Sequence, residues 1–148
     1  MTWDGDLTIP ALRESYASGT TAPSKVVEVV LRRVGEYARK DPAVWIDVVS
    51  ASDALARAKE LEQAYDGKEE MPRLFGVPFS VKNSIDIRGF RTTVACPSFA
   101  YTAQETAPVV QRCLDEGAIL IGTTNLEQFA TVRSAVALFS FPLKPVIY

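Results

Sequence analysis

The sequence contains no histidine. This absence excludes Ser-His-Asp and Cys-His catalytic groups and every metal site that uses imidazole ligands. Any general base in the chain must therefore be a lysine, a carboxylate or a tyrosine. Cysteine is also scarce, since Cys96 and Cys113 are the only two and their spacing is not that of a CxxC pair. We predict that both are reduced residues of the core.

Strong charge and long apolar segments are missing as well. The formal net charge of −2 provides no positive field that would hold nucleic acid or an anionic membrane. The longest apolar stretch, residues 135–141, is far too short to cross a bilayer. Residues 1–10 contain no basic residue and no apolar segment of the kind found in signal peptides. These features predict a cytoplasmic protein with neither a nucleic-acid partner nor a membrane partner.

The first half of the chain is predicted to be mainly helical. Apolar residues make up 47% of the 148 residues, which is enough for one modest core. Start and stop signals predict helices at Thr8–Gly19, Pro23–Lys40 and Ser50–Gly67, with a short strand at Val44–Val49. Thr8 is expected to cap the first helix, and Ser50 has capping-box spacing to Asp53.

The second half predicts a strand, a helix and a second strand. Leu74–Lys82 alternates as a strand does, and Ala118–Gly122 is a continuous apolar run typical of a buried parallel strand. A helix capped by Thr106 is expected near Pro108–Glu116 between them, and Thr92–Ala95 is expected to be extended. One face of the first strand is predicted to carry Val77, Phe79 and Val81. The fold class is therefore α/β, with helices leading and a βαβ crossover following.

Lys82 is the strongest candidate for a reactive side chain. It ends the first of these strands, and open α/β sheets place ligand sites at the carboxyl ends of their strands. A lysine desolvated at such a position loses affinity for its proton and becomes a base near neutral pH. The alternative is a strand-end lysine whose charged group simply extends into water. The strand pattern by itself favours this second interpretation.

The residues around Lys82 resemble the amidase-signature family. Gly76–Asn83 is similar to the strand of that family that carries a catalytic lysine. The resemblance continues, in matching order and spacing, through Ile85–Gly89, Thr92–Thr93, Asp115–Asn125 and Leu126–Thr131. It covers roughly residues 9–131 and is specific from residue 74 onward. Within the family, Cys96–Thr102 and Asn125–Thr131 are most similar to the allophanate hydrolases.

The resemblance implies a fold and a reaction. The fold would be N-terminal helices followed by the first βαβ portion of an amidase-signature mixed sheet, which is incomplete here. The reaction would be hydrolysis of a small amide such as allophanate by a Ser–cis-Ser–Lys group. Lys82 would take a proton through a bridging serine, and neither a metal nor a cofactor would be needed. Thr124 and Asn125 would hold local structure near the site. Independently of the resemblance, Asp86 could hydrogen-bond the loop after Lys82, but the sequence favours a solvated or turn-stabilising aspartate, and Glu127 is expected to be an ordinary helical surface residue.

The resemblance breaks off after Thr131. Residues 1–131 are therefore predicted to be a partial amidase-signature domain, and residues 132–148 a divergent tail. Both family serines and the oxyanion loop belong to a Gly/Ser-rich motif, whereas the tail contains no glycine and only Ser134 and Ser140. We therefore expect a truncated chain that is inactive alone, with Lys82 as its catalytic residue. Asn83 departs from the family too, because an acidic residue is usual at that position.

An incomplete sheet has further consequences. The alternative function is a non-catalytic interaction module that docks on a partner through the open sheet edge. The missing part of the fold is also expected to leave four apolar residues partly uncovered: Phe79, Val81, Ile119 and Ile121. Such a patch promotes self-association, and water should reach Lys82 easily.

Overall fold

The computed structural model describes residues 3, 5–68 and 70–130. The helices in this part of the chain are α1 (Ile9–Ala17), α2 (Pro23–Ala38), α3 (Ala51–Tyr65) and α4 (Pro108–Asp115). The strands are β1 (Trp45–Val48), β2 (Pro78–Lys82), β3 (Arg91–Thr92), β4 (Tyr101–Thr102) and β5 (Ile119–Thr124). Short 3₁₀ turns lie at Pro97–Phe99 and Gln128–Ala130. The predicted tail, with Ser134 and Ser140, lies outside the described residues.

The main sheet has the order β1-β5-β2 and mixes both strand directions. Strand β2 runs parallel to β5, with Phe79 opposite Leu120 and Lys82 opposite Thr124. Helix α4 connects the two strands, so the predicted βαβ crossover is confirmed. Strand β1 runs antiparallel to β5 and pairs Trp45 with Thr124. A second, two-stranded sheet joins β3 to β4. The predicted α/β class with a mixed sheet is therefore confirmed.

Both faces of the main sheet are covered. On one face, Ile119 and Ile121 pack in a core cluster with residues of α2 and α3, including Val27 and Ala58. On the other face, Val81 packs with Ile87 and with Val110 of α4. Each of these side chains is at least nine-tenths buried. Aliphatic burial on two faces supplies the hydrophobic driving force for this part of the chain.

This burial corrects the expectation of an uncovered patch. Val81, Ile119 and Ile121 are only 5%, 0% and 2% exposed, and Phe79 is half-buried. The prediction holds for Phe79 but was wrong for Val81, Ile119 and Ile121, because the helices that cover them are close to the strands in sequence. Helix α2 precedes the sheet, α3 follows its first strand β1, and α4 lies within the βαβ unit itself. Helices of this chain therefore cover both faces of the three-stranded sheet.

Val77 does not share a face with Val81, which is a second correction. It packs with Leu12 and Val26, whereas Val81 packs beneath α4. Alternation fails here because β2 begins only at Pro78, after a turn in which the Val77 N–H donates to the Leu74 carbonyl. Phe79 and Val81 do share a face, since both pack in the cluster beneath α4.

The helix caps are only partly as predicted. The Ser50 hydroxyl accepts from the Asp53 N–H at 3.1 Å and caps α3. Thr8 occupies the N-cap position of α1 without a side-chain capping bond, and its own N–H donates to Asp6. Thr106 does not cap α4, because Ala107 holds that position and the Thr106 hydroxyl accepts from the Arg88 N–H.

Within the described residues, no helix is both long and apolar enough to span a bilayer.

Candidate functional site

Lys82 lies at the carboxyl end of β2, level with Thr124 at the carboxyl end of β5. Its side chain is exposed, as expected. Among the described residues its side-chain nitrogen has no hydrogen-bond or ion-pair partner. Its backbone is held on both sides, since its carbonyl accepts from the Ile85 N–H at 3.0 Å and the next residue's N–H donates to Thr124. The backbone of Lys82 is therefore fixed by the sheet, whereas its side chain extends into water.

Asn83 is the most connected polar residue beside Lys82. It is 2% exposed. Its carboxamide oxygen accepts from the Thr93 N–H at 2.8 Å and from the Thr93 hydroxyl at 2.7 Å. Its carboxamide nitrogen donates to the Arg91 carbonyl at 2.8 Å and to the buried Thr123 hydroxyl at 3.3 Å. One side chain thus joins β2, β5 and the segment that follows β3, and satisfies its own buried polar atoms.

The segment held by Asn83 contains consecutive left-handed residues, so that of the predicted extended run Thr92–Ala95 only Thr92 lies in a strand. Val94 and Ala95 have φ of 51° and 53°. A β-branched residue rarely adopts this region, because its Cβ crowds the backbone. Phe129 and Ala130 have the same geometry, with φ of 51° and 53°, and the Phe129 N–H donates to the Val94 carbonyl at 2.9 Å. Two strained turns therefore meet near the end of β2.

Asp86 stabilises the loop after Lys82 by hydrogen bonds, which is the alternative that the sequence favoured less than a solvated or turn-stabilising aspartate. Its Oδ1 accepts from the Thr92 hydroxyl at 2.7 Å and from the Tyr101 hydroxyl at 2.8 Å. The hydrogen bond to Asp86 is the main cause that raises the pKa of Tyr101 above its ordinary value. Asp86 thereby links the loop to both strands of the small sheet.

Asn125 also holds local structure, as expected. Its side-chain nitrogen donates to the Ala43 carbonyl at 2.9 Å, and its oxygen accepts from the Leu126 N–H. These bonds attach the end of β5 to the segment before β1. Glu127 is half-buried and precedes a 3₁₀ turn, so its placement on a helix was wrong.

An exposed aromatic cluster lies next to these turns. The Phe99 ring makes edge-on contacts with Tyr101 and with Phe129, at centroid distances of 5.8 and 5.5 Å. All three residues are between 43% and 50% exposed. Cys96 precedes this cluster, and a hydrogen bond with the Ser98 side chain lowers the pKa of its thiol. Both cysteines are free, as predicted, but they are half-buried rather than core residues.

A cavity in the described part of the chain lies away from Lys82. It has a volume of about 500 Å³ and is lined by residues of α3, α4 and the start of β5, among them Arg57, Gln111 and Ile119. Lys82 is level with the opposite end of β5, so this cavity is separate from the lysine. Within residues 3, 5–68 and 70–130, no group of three Cys, Asp or Glu side chains could hold a metal ion.

Sequence reasoning missed Asn83 and Tyr101 as site residues. An asparagine directly after a strand was a usable signal, because this residue type bonds readily to nearby backbone. Its partners were not visible, since Arg91, Thr93 and Thr123 come from two other segments. Nothing in the sequence pattern connected Tyr101 with Asp86.

Comparison with known proteins agrees with the fold. The family named Amidase matches residues 25–143. Urea amidolyase of Saccharomyces cerevisiae is 46% identical over 87 residues, which cover 59% of this chain and 5% of that protein. One subunit of the mitochondrial glutamyl-tRNA(Gln) amidotransferase of Ornithorhynchus anatinus is 34% identical over 125 residues, covering 84% of this chain and 23% of that protein.

A solved structure also indicates an amidase-signature fold. The allophanate hydrolase of Kluyveromyces lactis superposes with a TM-score of 0.66 at 36% identity, covering 84% of this chain and 20% of that chain. The chain therefore spans less than a quarter of the length of each of these three relatives. The family match nevertheless extends over most of the 148 residues. The chain belongs to the amidase family, and its amidase-signature domain has urea amidolyases and allophanate hydrolases among its homologues.

Proposed function

We propose that this chain is the lysine-bearing part of an amide hydrolase of the allophanate hydrolase type. The observation that carries the proposal is the position of Lys82, exposed at the carboxyl end of a strand that pairs in parallel with β5. Such strand ends are where open α/β sheets bind and transform ligands. The similarity to urea amidolyase and allophanate hydrolase supports a small amide, allophanate, as the substrate class.

In this proposal Lys82 is the general base of a Ser–cis-Ser–Lys group. It accepts a proton from a bridging serine, which in turn activates a nucleophilic serine for attack on the amide carbonyl. Glycine-flanked backbone N–H groups would hold the oxyanion. No glycine follows Gly122 in the 148 residues. The sequence after Gly122 therefore contains neither a glycine-rich loop that could hold the oxyanion nor a serine flanked by glycine. We therefore propose that the 148-residue chain has no amidase turnover by itself.

An ammonia-release assay tests this proposal. The purified chain is incubated with allophanate beside a Lys82→Ala variant, with the Kluyveromyces lactis allophanate hydrolase as the positive control. We expect release no faster than the buffer blank from either form of the chain. Release by the parent chain that disappears in Lys82→Ala would show that a nucleophile is already present and would refute the inactivity. Release that survives the substitution would assign the activity to another site or a contaminant.

The transcript provides the complementary test. Sequencing of the full transcript shows whether a Gly/Ser-rich segment continues in frame beyond Thr131. If it does, Lys82→Ala in the longer protein should lower allophanate hydrolysis by about 100-fold or more, the usual contribution of a general base. An unchanged rate in that variant would remove Lys82 from the catalytic group and refute the proposal.

The second candidate is a non-catalytic interaction module. It is favoured by the three-stranded sheet, in which β1 and β2 each have a strand neighbour on one side only among the described residues. Open strand edges pair readily with other chains. A concentration-dependent mass in solution, or capture of a full-length amidase, would support this function over the catalytic one.

A further inference from the structure

We propose that Asn83 is the positioning residue that holds Lys82 at the end of β2. The inference rests on the proposed function, because the role of Lys82 comes from there. The placement of Asn83 does not rest on it. The chain surrounds the residue next to the lysine with polar contacts and leaves the lysine side chain itself in water.

The carboxamide of Asn83 can occupy its site in one orientation only. The Arg91 carbonyl can only accept and the Thr93 N–H can only donate, so the amide nitrogen must face Arg91 and the amide oxygen Thr93. The remaining bonds, to the Thr93 and Thr123 hydroxyls, adapt to that orientation because a hydroxyl both donates and accepts. The side chain is therefore fixed by groups that cannot exchange roles.

The backbone of Asn83 extends the same restraint to Lys82. Its N–H donates to the Thr124 carbonyl at 3.0 Å and its carbonyl accepts from the Val94 N–H at 3.2 Å. Lys82 is thus fixed by its register with β5 and by a neighbour whose backbone and side chain are both bonded. The direction of the Lys82 Cα–Cβ bond follows from these restraints, because the backbone dihedrals determine it.

An asparagine suits this position better than the acidic residue that the resemblance leads one to expect. An ionised carboxylate accepts hydrogen bonds but donates none. It could keep both Thr93 bonds, but it would place negative charge 2.8 Å from the Arg91 carbonyl oxygen. The observed set of partners needs a side chain that donates and accepts at once. Asn83 and its partners therefore form a matched set in this chain.

The test measures backbone order at Lys82 by ¹⁵N relaxation of the 148-residue chain. Wild type should show an N–H order parameter of about 0.85 at Lys82, the value of rigid backbone. Asn83→Leu removes all four side-chain bonds at similar volume and should lower this order parameter below about 0.6. Thr93→Val removes the hydroxyl bonds to Asn83 and to the Ala95 N–H but keeps the Thr93 N–H bond to Asn83, so it should lower the order parameter by a smaller amount. This milder variant keeps the test valid if Asn83→Leu does not fold.

Asn125→Leu is the matched control. It makes the same chemical change at the same end of the sheet, but its side-chain bonds run to Ala43 and Leu126. It should lower the melting temperature and leave the order at Lys82 unchanged. A wild-type order parameter at Lys82 in folded Asn83→Leu or Thr93→Val would overturn the inference. An equal loss of order in Asn125→Leu would also overturn it, because general destabilisation would then explain the effect.

The relaxation experiment can fail or succeed independently of the proposed amidase function. The order parameters report on the backbone of Lys82 whether or not the lysine ever acts on an amide. If Lys82→Ala in a longer active protein left turnover unchanged, the proposed function would fail while the loss of order in Asn83→Leu would stand. If the order did not change, the positioning role would fail while the amidase assay remained decisive for function.

Discussion

Gly122→Ala is expected to break the pairing of β1 with β5. A Cβ atom at Gly122 would overlap the Asp47 carbonyl oxygen and lie 3.0 Å from the Val48 Cα. Both neighbours are backbone atoms of β1, so neither can move aside as a flexible side chain could. Gly122 is also directly followed by Thr123 and Thr124, which contact Asn83 and Lys82. The substitution therefore strains the strand that positions the candidate site.

The size of the effect follows from this geometry. Overpacking in a dense region typically costs about 1–3 kcal/mol, and contact with immobile backbone places Gly122→Ala at the upper end, about 3 kcal/mol. For a chain of this length, about 3 °C of melting temperature is lost per kcal/mol. We therefore expect the melting temperature to fall by about 9 °C.

Gly35→Ala provides a control of opposite sign. Gly35 is exposed on α2, and a Cβ atom there would meet no atom within 4 Å. The same chemical change should stabilise the chain by about 0.5–1 kcal/mol, because alanine loses less conformational entropy in a helix than glycine does. A rise of about 1.5–3 °C is expected.

Thermal and urea unfolding followed by circular dichroism give both free energies. Fluorescence of Trp45, which pairs with Thr124, reports on the β1–β5 contact in a Trp3→Phe background. Gly122→Ala should shift both signals, and Gly35→Ala should leave the native Trp45 emission unchanged. Equal stability of the two variants would show that β1 moves away without cost, and the close packing inferred for this strand pair would be wrong.

Two further predictions concern stability and association. Burial raises the pKa of the Tyr16 hydroxyl, with the Glu62 carboxylate adding to the effect, and this hydroxyl donates to the Gly76 carbonyl at 2.9 Å. A folded-state pKa above the unfolded value of about 10 means that stability is present below pH 10 and is lost as the pH rises further. Tyr16→Phe should therefore lower the free energy of unfolding at pH 8 by about 1 kcal/mol. It should also make the free energy of unfolding fall less steeply above pH 10, and urea titrations at pH 8 and above pH 10 measure both effects. Association through the open sheet edge should appear as a concentration-dependent mass in light scattering. Val48→Lys places a charge at a 44% exposed position of edge strand β1 and should reduce this association. An unchanged mass in the variant would show that the chain does not associate through the β1 edge.

Local patterns accounted for much of the fold. The strand–helix–strand order from residue 78 to residue 124 could be predicted because each element carries its own periodicity and end signals. The cap at Ser50 could be predicted for the same reason, since donor and acceptor are three residues apart. Lys82 was found through the resemblance of its strand, which is also a local property.

Predictions failed where the outcome depended on distant segments. Val77 turned away from Val81 because β2 begins only at Pro78 and Val77 packs against Leu12 and Val26. Val94 and Ala95 adopt left-handed backbone although their local sequence favours extension, since Asn83 and Phe129 hold that turn from outside.

The sequence by itself determined the element order, the family and the identity of the candidate lysine, because these reside in contiguous residues. Only the tertiary structure decided that both sheet faces are covered and that Lys82 lies in register with Thr124. It alone also decided that a single buried amide joins three segments beside the lysine. The physical reason is that the folded geometry selects hydrogen-bond partners eight to forty residues apart, and packing neighbours such as Val77 and Leu12 that are still farther apart, and no local period encodes such pairs.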